Sequence, residues 1–256
     1  MEIKKITFAY DDKIRRLHHI NATVKKGEIT TIIGPNGCGK STLMGVLTKN
    51  LLPESGDVVL DGKALQSYKA KELAKKLGVV HQHNIAPSDM TVERLAFYGR
   101  LPYQRAFSPH TKEDEEIVDW ALACTGLEDK RNAEIETLSG GQQQRAWIAM
   151  ALAQKTPYLF LDEPTSNLDI FYQYDILKLV KQLRDEQGLT IVMVLHDITQ
   201  AIQFSDSIIA MKKGHIVKQG NPKEIMTAEL IDEIYGVEVV VKHDEELGMY
   251  IVPLSG

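Results

Sequence analysis

The sequence is poor in cysteine, has no long apolar run and carries no excess of positive charge. Two of its 256 residues are cysteines, Cys38 and Cys124, which excludes a disulfide framework and a paired-cysteine zinc site. No apolar run reaches the roughly 18 residues of a spanning helix, and the N-terminal MEIKKITFAYDDKIRRL lacks signal-peptide features. The formal net charge of -5 disfavours a general electrostatic affinity for nucleic acid or for an anionic membrane. We therefore expect a soluble protein of a reducing compartment that binds any anionic ligand locally.

The composition is that of an ordinary globular protein, with 43% hydrophobic and 25% charged residues. A chain of 256 residues fits one large α/β domain, with or without an inserted subdomain. The segment from 2 to 24 alternates apolar and polar residues, which predicts antiparallel strands with one solvent-exposed face. Compact apolar runs at 28–33, 77–81, 158–161 and 190–195 predict a mostly parallel sheet covered on both faces.

Helical periodicity replaces the strand signals between 82 and 156, with helices predicted at 92–98, 112–124 and 141–153. The tail returns to short strands at 207–211 and 215–219, followed by a last helix near 229–235. We predict an α/β fold with a mostly parallel sheet, an antiparallel β edge and an inserted helical subdomain. The predicted divisions are a first core part at 1–82, a helical subdomain at 83–155 and a second core part with the C-terminal region at 156–256.

A phosphate-binding loop, GPNGCGKS, lies between the strand predicted at 28–33 and a helix predicted from Lys40 to about Thr48. Glycines let successive N–H groups point at phosphates, and the helix N-terminus adds partial positive charge. Lys40 is expected to reach the β and γ phosphates, and Ser41 to ligate Mg²⁺. The predicted ATP-binding set in this loop is Gly34, Pro35, Asn36, Gly37, Cys38, Gly39, Lys40, Ser41 and Thr42.

A second motif, YLFLDE at 158–163, is an apolar strand that ends in two carboxylates. Asp162 would reach Mg²⁺ through water, and Glu163 would deprotonate an attacking water. Such strand ends are common on their own, but here the motif follows a phosphate loop. The pair favours a hydrolase of nucleoside triphosphates with a P-loop NTPase (RecA-like) fold.

The third motif is LSGGQQQR, at the start of the helix predicted at 141–153. Ser139 is expected to cap this helix, and Gly140 and Gly141 allow an anion to approach its N-terminus. With these three motifs in this order, the chain resembles the ATP-binding cassette (ABC) ATPases over essentially its full length. The resemblance assigns a contact with ATP held by a second subunit to Leu138, Ser139, Gly140, Gly141 and Gln142.

The resemblance also implies roles for single residues outside the loop. Tyr10 matches the aromatic residue that stacks on adenine, and a strand tyrosine that packs locally is the alternative. Gln82 matches the glutamine that contacts Mg²⁺ and the attacking water, and His196 matches the histidine that contacts the γ phosphate. Asp169, in SNLD where the family more often has SALD, matches a residue that orients the opposing subunit.

The family arrangement implies the cofactors ATP and Mg²⁺ and a head-to-tail dimer, expected here as a homodimer. The strings YGRLPY, RAWIAMALAQ, LDIFYQ and PKEIMTAELIDEIYGVEV are similar to ATPase subunits of importers for iron-siderophore complexes, haem and cobalamin, with ferric siderophore the leading cargo. The implied partners are a transmembrane permease and, indirectly, an extracellular substrate-binding protein. The implied location is the cytoplasmic face of the membrane, with no nucleic-acid partner.

Other readings remain open from the residues. A soluble ABC protein of cluster assembly, repair or translation would share the ATP motifs, but repair members usually carry coiled-coil insertions and translation members two cassettes. An exporter usually carries its membrane span in the same chain. A kinase has no use for LSGGQQQR, a GTPase would carry an NKxD string, and a pure binding module would not need Glu163. Cys38 lies beside Lys40 at a helix start, surroundings that favour the thiolate and its modification, and an incidental loop residue is the preferred interpretation. As a hypothesis, alkylation of Cys38 would block ATP binding.

Overall fold

Strands and helices alternate along the chain in a computed structural model, which describes residues 1–11, 14–104, 109–244 and 248–254. The strands are β1 (Glu2–Asp11), β2 (Ile14–Thr23), β3 (Ile29–Ile33), β4 (Ser55–Leu60), β5 (Lys63–Ala64), β6 (Leu77–Val80), β7 (Tyr158–Leu161), β8 (Thr190–Val194), β9 (Ser207–Lys212), β10 (His215–Gly220), β11 (Val239–Asp244) and β12 (Gly248–Pro253). The helices are α1 (Lys40–Leu47), α2 (Ala70–Leu73), α3 (Val92–Tyr98), α4 (Lys112–Thr125), α5 (Gly140–Ala153), α6 (Ile170–Gln187), α7 (Ile198–Phe204), α8 (Pro222–Ile225) and α9 (Ala228–Tyr235). Among these described residues, no helix combines the length and the apolar character needed to cross a membrane.

The chain divides into two compact units. One consists of Met1–Ser67 with Thr190–Gly256, and the other is Tyr68–Leu189. The functional boundaries predicted at residues 82 and 155 stay a prediction.

The first unit contains the parallel strands that support the phosphate loop. β3 pairs in parallel with β8 and with β9, and β10 runs antiparallel to β9. Every residue of β3 is buried, as expected for a strand covered on both faces. A separate antiparallel sheet has the order β2-β1-β4-β5. Both the parallel strands and the antiparallel region predicted from the sequence are confirmed.

The second unit consists of the parallel pair β6 and β7 and a group of helices. α5 packs against both α3 and α4. α4 buries Val118, Ala121, Leu122 and Thr125, which lie on one helical face. At the head of α4, Arg100 Nε donates to Asp114 Oδ1 at 2.8 Å in a buried ion pair. The helices predicted in this region are confirmed to within two residues at each end.

Several elements have no bounds in the sequence prediction, among them α2, α6, α7, the short pair β4 and β5, and the hairpin of β11 and β12. α6 begins with the exposed apolar residues Ile170 and Phe171, so its apolar positions do not all lie on one face. The hairpin has no two-residue turn signal such as Asn-Gly between its strands. The residues between β11 and β12 include 245–247, which lie outside the described part of the chain.

Candidate nucleotide site

The phosphate loop joins the end of β3 to the start of α1, as predicted. Gly34 has φ +147°, and a Cβ built there would lie 2.2 Å from the carbonyl oxygen of Met211. Gly39 has φ +108° and is the N-cap residue of α1. Both positions require glycine, because a side chain would be strained and would meet neighbouring atoms.

The start of α1 presents uncompensated positive charge. No side chain caps the helix, and its first turn contains no acidic residue. Lys40 is only 5% exposed, and its Nζ donates to the carbonyls of Gly34 (2.8 Å) and Pro35 (3.2 Å). Among the described residues no carboxylate forms an ion pair with Lys40. A buried ammonium without a counter-ion, beside a helix N-terminus, favours binding of an anion such as phosphate.

Two other predicted residues are brought to this loop. Tyr10 Oη lies 3.3 Å from Thr42 Oγ1, while the side chain of Tyr10 is 63% exposed. One edge contact with Phe8, at a centroid distance of 4.9 Å, leaves the ring of Tyr10 able to stack on a planar ligand. His196 follows β8, which pairs in parallel with β3, so it lies at the same edge as the phosphate loop.

The expectation that the surroundings of Cys38 favour the thiolate is wrong. This thiol is only 3% exposed, and burial raises its pKa, while Lys40 opposes the shift more weakly. The thiolate is therefore disfavoured despite the nearby cation and helix start.

In the second unit, β7 is fully buried and ends immediately before Asp162 and Glu163. The N–H of Asp162 donates to Val80 O at 2.9 Å, which extends the pairing with β6. Gln82 Nε2 donates to Glu163 Oε2 at 2.5 Å. Gln82 and Glu163, which are far apart in sequence, are thus in direct contact.

The backbone of Glu163 adopts a left-handed conformation, with φ +51°. Its carbonyl accepts hydrogen bonds from Ser166 N (3.1 Å) and Ser166 Oγ (2.9 Å). Such a conformation is uncommon for a residue with a side chain and is concentrated at functional sites. The turn therefore fixes the carboxylate at the end of the buried strand.

The start of α5 confirms the predicted cap. Ser139 Oγ accepts from Gln142 N at 3.4 Å, and Gln142 Oε1 accepts from Ser139 N at 3.1 Å. A Cβ on Gly140 would lie 3.2 Å from Leu168 Cδ2, and one on Gly141 would lie 2.5 Å from Tyr172 Cδ1. Gly141 is therefore needed for packing against the start of α6, besides any contact with an anion, whereas a Cβ at Gly140 would meet only the flexible end of Leu168.

The departure from SALD at position 167 has a local reason. Asn167 has φ +59°, a left-handed conformation that asparagine tolerates better than alanine. Asp169 is the N-cap residue of α6, but its side chain makes no capping hydrogen bond. Sequence reasoning missed Tyr172, because no local pattern ties it to Gly141 in another helix.

Comparisons with known proteins agree with these motifs. A family model described as ABC transporter matches residues 17–166. The ferric enterobactin transport ATP-binding protein FepC of Escherichia coli (strain K12) is 45% identical over 98% of this chain and 93% of its own. The iron(3+)-hydroxamate import ATP-binding protein FhuC of Bacillus subtilis (strain 168) is 42% identical over 95% of this chain and 90% of its own.

Solved structures share the fold. An inward-facing putative metal-chelate type ABC transporter gives a TM-score of 0.86 at 27% identity, covering 99% of this chain and 96% of that one. A dimeric bacterial ABC transporter cassette gives a TM-score of 0.75 at 32% identity, covering 86% of this chain and 98% of that one. The chain therefore belongs to the ABC transporter family, and it is an ATP-binding subunit with ATPase activity.

Proposed function

We propose that this chain is the ATP-hydrolysing subunit of an importer that takes up a ferric siderophore. The names of FepC and FhuC, together with that of a petrobactin import protein of Bacillus anthracis at 43% identity, support this class of cargo. The cargo itself would be bound by other subunits, since this chain supplies the energy. Haem and cobalamin importers use similar ATPases and are the alternatives that an experiment must separate.

The surroundings of Lys40 are the main support for ATP binding at this loop. Its buried ammonium, held by two loop carbonyls and without an ion-pair partner in the described chain, matches the charge of the β and γ phosphates. The N–H groups at the start of α1 add to this attraction. Tyr10 would stack its exposed ring on adenine.

Glu163 is the proposed general base. Its carboxylate would accept a proton from the attacking water, and the hydrogen bond from Gln82 would orient it. His196, at the end of β8, would donate to the γ phosphate. Ser41 and Asp162 would hold Mg²⁺, which when bound neutralises charge on the phosphate oxygens. The hydroxyl of Ser41 and the carboxylate of Asp162 are hard oxygen donors, the kind of ligand that Mg²⁺ takes in proteins.

The proposed assembly contains two copies of this chain and a permease. Ser139, Gly140 and Gly141 of one copy would contact ATP held by the phosphate loop of the other, and Asp169 would face the opposing copy. The dimeric cassette of the same fold supports this arrangement. The chain would lie on the cytoplasmic face of the membrane through the permease, which in turn would receive cargo from an extracellular binding protein.

Affinity purification of the Glu163→Gln protein tests this function. Removing the base should trap ATP between two copies, so gentle solubilisation with ATP and Mg²⁺ should recover a polytopic permease and a membrane-tethered binding protein. The control is Glu163→Gln combined with Lys40→Ala, which should recover neither. Recovery of only soluble partners would overturn the transport function.

Reconstitution of the wild-type ATPase with the recovered permease and binding protein then identifies the cargo. Addition of a labelled ferric siderophore with the binding protein should stimulate ATP hydrolysis by the wild-type complex in vesicles. The label should then accumulate inside the vesicles. Haem and cobalamin are tested at equal concentration. Stimulation by either of them, without a response to ferric siderophores, would assign the importer to the other cargo.

A further inference from the structure

A cavity of about 300 Å³ lies within the second unit. Its lining comes from Trp120 of α4, the end of α5, the start of β7, and Gln187 and Leu189 at and just after the end of α6. Leu152 and Leu159 also line it and supply apolar surface. Ligand cavities in proteins begin at about this volume and are lined mostly by apolar and aromatic side chains. The cavity therefore has the size and the lining of a site for a small molecule.

One cation lies at this cavity. Among the described lining residues, Lys155 is the only charged one. Its Nζ lies 3.1 Å from the centroid of the Trp120 ring, which also lines the cavity. The face of an indole attracts a cation, so the ring holds the ammonium in place before any ligand binds. The site is therefore preorganised to meet a single negative charge.

The charge of Lys155 has no anionic partner in the described part of the chain. There, no carboxylate forms an ion pair with it, and its Nζ donates no hydrogen bond. Burial lowers the pKa of this ammonium, while Cys124 opposes the shift and Arg100 adds to it. Burial in turn raises the pKa of the Cys124 thiol, so this thiol is neutral near pH 7 and supplies no counter-ion. A partly desolvated cation of this kind gains free energy when an anion binds beside it.

We propose that this cavity binds a small amphipathic monocarboxylate, whose charged end pairs with Lys155 and whose apolar body packs against Leu152 and Leu159. One negative charge matches the one cation of the lining, and the apolar surface contributes through burial of a hydrocarbon or aromatic body. A phosphate group would bring a second negative charge that no described lining residue compensates. None of these residues is assigned to ATP, to Mg²⁺ or to a second copy, so the inference goes beyond the proposed function and stands or falls separately from it.

The test measures binding of octanoate to the full-length chain. The two tryptophans of the sequence are Trp120 and Trp147, so the Trp147→Phe protein reports on the cavity through the fluorescence of Trp120 alone. Calorimetry gives the affinity independently. Octanoate should bind saturably, and Lys155→Met should raise its dissociation constant about tenfold or more, because a hydrogen bond between charged groups contributes at least that ratio. Lys155→Arg keeps the positive charge and should retain most of the affinity.

Lys75→Met is the matched control. Lys75 Nζ also lies over an aromatic ring, that of Tyr103, at 4.6 Å from its centroid, but neither residue lines the cavity. This variant should bind octanoate as the parent does, and circular dichroism should show the same fold in all variants. Octanol and octylamine lack the negative charge and should bind about tenfold more weakly than octanoate or worse. The proposal would be overturned by a lack of saturable octanoate binding up to about 1 mM, by an unchanged dissociation constant in Lys155→Met, or by equal binding of octanol.

Discussion

A single methyl group at Gly141 tests whether the α5–α6 contact positions the LSGGQ residues at the start of α5. In Gly141→Ala, the new Cβ would lie 2.5 Å from Cδ1, 2.9 Å from Cγ and 3.2 Å from Cβ of Tyr172. Carbon atoms in contact ordinarily lie about 3.5–4.0 Å apart. Because the clash involves the base of the tyrosine side chain, a change at the far end of the ring cannot relieve it. The start of α5 or of α6 must therefore move by roughly 1 Å to restore an ordinary contact.

The expected cost in stability is that of overpacking, about 1–3 kcal/mol. The expected cost in activity is comparable in free energy, since a misplacement of about 1 Å in a catalytic constellation can reduce the rate on the order of 100-fold, or about 2.7 kcal/mol. ATP binding by the monomer should not change, because the phosphate loop lies in the other unit. The variant should therefore bind nucleotide normally while hydrolysing it slowly.

The assays are denaturant unfolding, nucleotide titration and steady-state ATP hydrolysis. Gly140→Ala is the matched control for stability, because its Cβ would lie 3.2 Å from the flexible end of Leu168 and should cost less. Tyr172→Ala makes room for the methyl group, so the double variant should be more stable than the sum of the two single effects predicts. The proposed contact would be refuted if Gly141→Ala had the stability and activity of the wild type, or if the effects of Gly141→Ala and Tyr172→Ala were strictly additive in the double variant.

Three further predictions concern ionisable groups. Burial alone would raise the pKa of Asp114, but hydrogen bonds from Arg100 and Thr111 outweigh it and hold that pKa below its usual value. Asp114→Asn should therefore lower the free energy of unfolding by about 3 kcal/mol at pH 7. This deficit should shrink when unfolding is measured below about pH 4, where the wild-type carboxylate becomes protonated as well. An unchanged unfolding curve would contradict this. At pH 7.5, Cys38 should react with iodoacetamide roughly tenfold more slowly in the folded chain than in the unfolded chain, as measured by mass spectrometry. Equal rates would disprove the shielding of this thiol. Burial raises the pKa of Tyr235 to about 12. The free energy of unfolding should therefore fall from about pH 10 upwards in the wild-type protein, and it should fall less steeply in Tyr235→Phe. Parallel curves of unfolding free energy against pH would exclude this residue as the cause.

The sequence predicted best those elements whose pattern is local. The strand at 158–161 and the helix at 92–98 have the predicted bounds, because a short apolar run and a 3.6-residue period are visible within one segment. The phosphate loop was equally accessible, since its glycines and lysine are consecutive. The roles assigned to individual site residues stay predictions.

What the sequence could not provide are contacts between distant segments. The thiol of Cys38 was expected to be reactive from its neighbours, but burial by the surrounding fold decides its pKa. The contact of Gly141 with Tyr172 is likewise a tertiary one, and so is the hydrogen bond of Gln82 to Glu163. Sequence motifs therefore identify the groups, while their orientation depends on packing that leaves no periodic signal.

The two glycines of LSGGQ illustrate how one residue type can satisfy two requirements. Close approach of a phosphate to the start of α5 needs small residues. Packing against Tyr172 needs a small residue at Gly141 as well, independently of any ligand. A larger residue at Gly141 would therefore displace the start of α5 or that of α6, and a shift of α6 would move Asp169. In the proposed dimer, the surface that would meet ATP on a second copy and the residue that would face that copy would therefore be coupled through the contact of Gly141 with Tyr172.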